Sequence, residues 1–407
     1  MTRAWAGLGV AAVLVIMAII PQPPSRGGGA DGVRAPGEPT ARETLTIGYI
    51  AGPSGAGVVS RLYVATGSAP PVPVRVVGAG ATSFAWAPDG IHSVLVDAEG
   101  ALHILPQDRV LPGPIRGVAF SPDGTLAAVC SGRAWPPRIT LLRLDALNGQ
   151  GGPSFEGCDA EWSADGTYVA YRIPTVPAAG SQQSYDPTGF GVLNTRVVTR
   201  FSVPGSWPVA WAPAADRTFV PLTVTGRDGR SVEIMDPRGG ERRTLLSRHT
   251  LRAVIGNVPV GVISLLAWSP RGDRLAIGFG AGPLGRFGGV ADVDPATGQG
   301  TFVGDQFPPV WLTWSGQGDL LAGFAGPGDG RTRLIHGREG MSTSLSIRDA
   351  TWSADGRWIL GRADDGWVIA PVDRPDAIQP IKDSADWSVA RWCCPPVPGV
   401  GLPGTGW

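Results

Sequence analysis

One short phrase recurs along this chain and limits what it can fold into. At 266–276 it reads LAWSPRGDRLA: an apolar run ending in Trp268, a Pro/Gly/Asp turn, and a second run from Arg274. Pro270 presets φ for a turn and Gly272 tolerates φ > 0, so the phrase specifies a tight hairpin. Near-copies stand at 84–90 (FAWAPDG), 118–124 (VAFSPDG), 160–166 (AEWSADG), 209–217 (VAWAPAADR), 312–321 (LTWSGQGDLL) and 350–360 (ATWSADGRWIL), with a truncated one at 389–393 (VARWC).

The aromatic anchors of these phrases are Trp86, Phe120, Trp162, Trp211, Trp268, Trp314, Trp352 and Trp392. They lie 34 to 57 residues apart, averaging about 44, the length of one four-stranded propeller blade. Turn and strand signals fill each interval: after Trp268 come RLAIGF, GVADV, a PATG turn and a further strand at 300–303. The pattern predicts an all-β fold, a single β-propeller of four-stranded antiparallel blades. Anchors placed before the turns fill the wedge between blades, each removing on the order of 150–250 Å² from water.

The ends fit the same scheme. Before Trp86 lie three strand-like runs, 45–51, 61–65 and 74–78, and after the last full interval a single one, 388–392. N- and C-terminal strands sharing one blade would close the ring and leave no edge to template aggregation. The anchors count to eight blades. Seven is the alternative, because the interval from Trp86 to Phe120 is short.

The hairpin phrase resembles the TolB-type, WD40-like propeller repeat. Residues 268–279 (WSPRGDRLAIGF) are similar to the first two strands of that repeat, and 232–246 (VEIMDPRGGERRTLL) to its third and fourth. The resemblance covers roughly 45–393 at the level of repeats. It implies the fold and no particular activity, since such blades serve as scaffolds, as binding modules and beside peptidase domains.

Composition agrees with many turns joining short apolar strands: 60 Gly, 39 Pro and 15 Trp, with 17% charged residues. No apolar run keeps a 3.6-residue period beyond the first twenty residues, so the body is expected to lack helices. Basic and acidic residues balance at 34 each, which gives a polyanion no electrostatic purchase and argues against nucleic acid. Residues 4–20 form an uncharged apolar run behind Arg3, about 25 Å long as a helix. They predict a signal-anchor or a signal peptide at 1–20, and both readings export the rest of the chain. A Pro/Gly-rich linker at 21–43, a propeller at 44–394 and a flexible tail at 395–407 complete the expected organisation. The expected location is the cell membrane, single-pass, with the propeller on the extracytoplasmic side, or secreted if the segment is cleaved.

Catalytic motifs are missing from the sequence. There is no Gly-x-Ser-x-Gly elbow and no phosphate-binding Walker motif. His92, His103, His249 and His336 are scattered without metal-ligand spacing. His92 and His103 flank one expected hairpin and could meet. Asp89, Asp123, Asp165 and Asp355 read as turn residues. No catalytic residue, cofactor or metal is therefore assigned. In an exported chain Cys130, at the end of one second strand, and Cys158, at the start of the next first strand, are placed for a cross-blade disulfide. Adjacent Cys393 and Cys394 could bond each other, bond another chain or stay reduced.

Irregular stretches that break the period are the candidates for recognition. Residues 174–194 would expose Tyr185 and Phe190 if they form a loop. The longest interval carries a basic cluster of Arg227, Arg230, Arg238, Arg242, Arg243, Arg248 and Arg252. These features predict a non-catalytic scaffold that binds a protein, peptide or envelope ligand. The alternative is a propeller hydrolase, lactonase or lyase using channel carboxylates and a metal.

Overall fold

The computed structural model describes residues 44–393, apart from 52–55, 64–71, 77–79, 108, 146–151, 176–183, 205, 214–220, 227, 239–241, 260, 281–286, 325–330 and 337–340. The expected anchor, linker and tail lie outside the described residues, as does Arg227. No helix among the described residues is long and apolar enough to cross a membrane.

Among the described residues the strands form eight four-stranded antiparallel sheets, each a meander except one. The exception joins strands Thr44–Ala51, Ala56–Tyr63 and Val72–Val76 to the last strand, Trp387–Trp392. We number the blades by their anchors, from blade 1 with Trp86 to blade 8 with Trp392. Core side chains collect between blades rather than within them. Leu142 and Val118 meet Ala85 and Val94 of blade 1, and Trp162 joins Ala119 and Leu141 of blade 2. Similar clusters follow pairwise around to Trp387 and Trp392 against Leu360 and Trp367 of blade 7. Ile50 of blade 8 then packs on Phe84 and Trp86 of blade 1. Apolar contact thus runs continuously from the last blade to the first.

The anchors do more than fill a wedge. Trp162 Nε1 donates to Ala119 O at 2.9 Å, Trp211 to Glu161 O at 2.9 Å, Trp314 to Ala267 O at 3.0 Å and Trp352 to Thr313 O at 3.0 Å. In each case the acceptor is the residue just before the preceding blade's anchor. Trp268 departs from this and donates to Thr223 Oγ1 at 2.8 Å. Trp86 and Trp392 bury Nε1 without a partner among the described residues, and Phe120 has none to offer.

The turn after each anchor is held by its own side chains. Ser163 Oγ donates to Asp165 at 2.6 Å, and Tyr168 N donates to Ser163 Oγ at 2.9 Å. Ser121 with Asp123 and Ser353 with Asp355 repeat the arrangement. Burial alone would raise these three carboxyls. Hydrogen bonds from the serine and from the residues after the glycine outweigh it and hold them below the ordinary value.

Contrary to the expectation from periodicity, the body contains a helix. It spans Arg248–Ile255, between the last strand of blade 4 and the first strand of blade 5. Ser247 caps its N-terminus by accepting from Thr250 N at 3.0 Å, and the Gly256 amide closes its end on Arg252 O. Only Leu251 and Ile255 are buried, so its apolar stripe is two residues wide and too short for a periodicity reading to register.

Candidate functional site

In a meander blade the first strand begins, and the second ends, on the same face of the ring. Both irregular segments therefore open on one face. The strand Tyr168–Thr175 ends and the strand Ser184–Asn194 begins there in blade 3, and the blade 4 turn at 226–231 and the capped helix lie there too. The Ser-x-Asp turns occupy the opposite face.

The first strands carry a β-bulge near their start on this face, as at 115–117, 158–161, 263–265 and 348–351. A bulge bends the strand and re-aims the extra side chain. In blades 3 and 7 the bulge includes Asp159 and Asp349, both at positive φ (53° and 52°). Asp159 accepts from Arg172 Nη1 at 3.3 Å. The Arg172 guanidinium lies 4.1 Å from the centre of the Tyr185 ring. Trp135 of blade 2 meets Tyr185 edge-on at 5.3 Å and donates from Nε1 to Thr175 O at 2.7 Å. Tyr185 is thus half-buried in an aromatic and charged cluster. Burial, with the Asp159 charge behind it, pushes its hydroxyl upward from the ordinary value.

Phe190 is not a loop residue, which corrects the expectation of an exposed ring. It lies in the third strand of blade 3, paired with Arg172 on one side and Val203 on the other. It is fully buried in the core shared with blade 4. The sheet face that carries Phe190 packs against Val209, Trp211 and Val224 of blade 4, so the ring is not presented to a ligand.

The basic cluster divides. Arg238 pairs with Asp236 at 2.7 Å and Arg242 with Glu233 at 3.3 Å, both near the turn on the far face. Arg243 is exposed beside Arg242. Arg248 and Arg252 stand instead on the helix, and Arg230 on the 226–231 turn. These three line a cavity of about 290 Å³ whose floor is Leu251, Ile255 and Phe279. No acidic residue among the described residues lines it. Asp228, near Arg248, spends its carboxylate on its own turn, accepting from Arg230 N and from Ser231 N and Oγ. A second cavity of about 290 Å³ opens on the other face between blades 5 and 6, lined by Arg271, Asp273, Arg274 and Asp319. Its charges are mixed, and Arg274 is paired with Asp292 at 2.8 Å.

On the innermost strands, the residue before each anchor is Ala85, Ala119, Glu161, Ala210, Ala267, Thr313, Thr351 or Arg391. Six are small and two are charged. Burial, reinforced by Asp159, pushes the Glu161 carboxyl up to about 7. Burial lowers Arg391 from its ordinary value, against the pull of Asp349. Glu161 could exchange a proton near neutrality. No three His, Cys, Asp or Glu among the described residues converge in a way that could hold a metal.

His92 and His103 do not meet. His92 Nδ1 pairs with Asp89 and its Nε2 contacts Gln107 at 3.1 Å. His103 Nε2 pairs with Asp97 at 2.9 Å toward the opposite end of the hairpin. Cys130 and Cys158 form a disulfide between blades 2 and 3, with Cα atoms 5.2 Å apart. Cys393 is also disulfide-bonded, and Cys394 lies outside the described residues.

Residues 106–133 match the family model "WD domain, G-beta repeat". The match spans the last strand of blade 1 and the first two of blade 2, so the repeat is WD40-like. No curated protein matches the chain. A solved eukaryotic initiation factor is 12% identical, with TM-score 0.54 over 86% of this chain and 98% of that one. The dihydro-heme d1 dehydrogenase NirN, solved in complex with DHE, is 14% identical, with TM-score 0.51 over 85% and 74%. TolB from Acinetobacter baumannii is 15% identical, with TM-score 0.39 over 64% and 62%. At such identities the first two likenesses show the propeller fold alone.

Proposed function

We propose that the protein is a non-catalytic binding module, a propeller held outside the cytoplasmic membrane by its N-terminal segment. Its recognition face is the one on which the first strands begin. The observation that carries this reading is the gathering of both irregular insertions on that face. One brings Trp135, Arg172 and Tyr185 together, and the other sets three arginines around a cavity without a carboxylate among its described lining. Partly exposed aromatic and arginine side chains on a rigid scaffold are the residue types that dominate recognition surfaces. The charge and apolar run at 1–20 support export, and the long tether at 21–43 supports presentation away from a membrane surface.

The test is capture by the full-length protein in detergent from its own envelope fraction, compared with Arg172→Ala and Tyr185→Ala variants of unchanged melting temperature. A partner retained by the parent and lost from both variants supports the reading. Equal retention by all three removes this face from consideration. A second reading, an enzyme working from the channel, rests on the raised Glu161 carboxyl. It requires a turnover that follows the ionisation of Glu161 and disappears in Glu161→Gln.

A further inference from the structure

We infer that the cavity between blade 4 and the helix Arg248–Ile255 binds the phosphate group of a small phosphomonoester. The inference rests on the reading of this face as a recognition face and names the chemistry of one site within it. Arg248, Leu251, Arg252 and Ile255 follow one another at i, i+3, i+4 and i+7, so they form a single stripe of the helix. Leu251 and Ile255 are buried into the cavity floor beside Phe279, while both arginines stay exposed at its rim. Arg230 approaches from the neighbouring turn.

Three guanidiniums with no carboxylate among the described lining residues create a strongly positive pocket over an apolar floor. Elsewhere on this blade two arginines are neutralised, Arg238 by Asp236 and Arg242 by Glu233. A phosphomonoester suits the three at the cavity. It carries a charge of about −1.5 to −2 and three acceptor oxygens, which three forked donors can share. A carboxylate offers two oxygens and one charge. The apolar floor accepts the organic stem. About 290 Å³ lies at the lower end of the range for small-molecule sites, which suits a stem of glycerol size rather than a nucleotide. The Thr250 amide at the helix N-terminus is not available to the anion, because it already donates to Ser247 Oγ.

The phosphate could come from a soluble ester or from a lipid headgroup, and the experiment separates them. Full-length protein in detergent is titrated calorimetrically with inorganic phosphate and with glycerol 3-phosphate. The same protein is also incubated with phosphatidic acid vesicles, using phosphatidylcholine vesicles as reference. Saturable binding is expected, weakened about 10- to 100-fold by Arg252→Ala and by Arg248→Ala. Arg252→Lys, which keeps charge but loses the fork, should fall between. Arg243→Ala, outside the cavity, should bind like the parent. Binding of the soluble ester identifies a soluble source; binding of phosphatidic acid vesicles alone, abolished by the arginine changes, identifies a headgroup. No saturable binding to any probe overturns the inference, as does binding that survives Arg230→Ala, Arg248→Ala and Arg252→Ala combined. Because the readout is direct, loss of partner capture in the Tyr185 variant leaves this result independent.

Discussion

Trp211 donates from Nε1 to the main-chain carbonyl of Glu161 at 2.9 Å, across the boundary between blades 4 and 3. Glu161 directly precedes the anchor Trp162, which repeats the reach to Ala119 of blade 2 at 2.9 Å. The anchors therefore couple blades by hydrogen bond as well as by burial. Trp211→Phe keeps most of the ring and removes this hydrogen bond, and should cost about 1 kcal/mol in urea unfolding. Trp211→Ala should cost about 3–5 kcal/mol. Trp86 buries an indole N–H with no partner among the described residues, so Trp86→Phe should cost less than Trp211→Phe. Equal costs for the two phenylalanine variants would contradict the role given to the bond.

Glu161 makes stability fall as pH rises. Its folded carboxyl is pushed up to about 7, from an ordinary 4.5. Between those values the folded chain holds a proton that the unfolded chain has released, so ν_U − ν_N is negative and stability declines with pH. The contribution is full below about 4.5 and gone above about 7. Glu161→Gln should match the parent near pH 4 and exceed it at pH 8 by about 1–2 kcal/mol, allowing for the partial exposure of Glu161. Melting temperatures at pH 5 and pH 8 check this, and a variant no better than the parent at pH 8 refutes it.

The Ser-x-Asp turns act in the opposite sense. Asp165 is held below its ordinary value of 3.8, so its contribution is present above that pH and is lost as the pH falls through the depressed folded value. Asp123 and Asp355 behave alike. Acid unfolding followed by tryptophan fluorescence should become less steep below pH 4 in Asp165→Asn. The variant should also be weaker than the parent at pH 7. An unchanged acid limb would mean the turn does not depend on the ionised carboxylate.

The disulfide of Cys130 and Cys158 closes a loop with a sequence separation of 28. Replacing both cysteines with serine should destabilise the protein by about 3 kcal/mol, mainly by freeing the unfolded chain. Denaturant unfolding with and without reductant tests it, since in reductant, which opens the Cys393 bond in both proteins, the parent should approach the double variant.

Ser247 supplies the N-terminal cap of the only described helix. Ser247→Ala should cost about 1 kcal/mol, and hydrogen exchange should locate the change at 248–256. If protection is lost instead across blade 5, the helix is a support for that blade and not an appendage.

Much of the architecture is local and so legible in a linear reading. Each blade is a meander, and its ring, turn and next strand lie within about ten residues, as in 266–276. The shared closing blade was legible too, because three strand-like runs before Trp86 and the single one at 388–392 complete a set of four. The cross-blade disulfide followed from strand direction alone. The helix was missed because two buried residues make no period. The Ser247 cap and Gly256 stop were the signals that could have found it.

Residue chemistry alone determined that this chain must build wedge-shaped antiparallel sheets around an axis, since large rings at blade-length intervals have nowhere else to be buried. Tertiary structure alone decided which side chains stand together. Arg242 and Arg248 are six positions apart, yet the strand Arg242–Leu246 runs between them and, at about 3.3 Å per residue, carries them toward opposite faces. Arg230 and Arg252 are far apart in sequence and line one cavity. Phe190 looked like a loop residue until the strands on both sides of it were known. A strand converts distance along the chain into distance across the molecule, whereas proximity between blades depends on a ring that no single segment encodes.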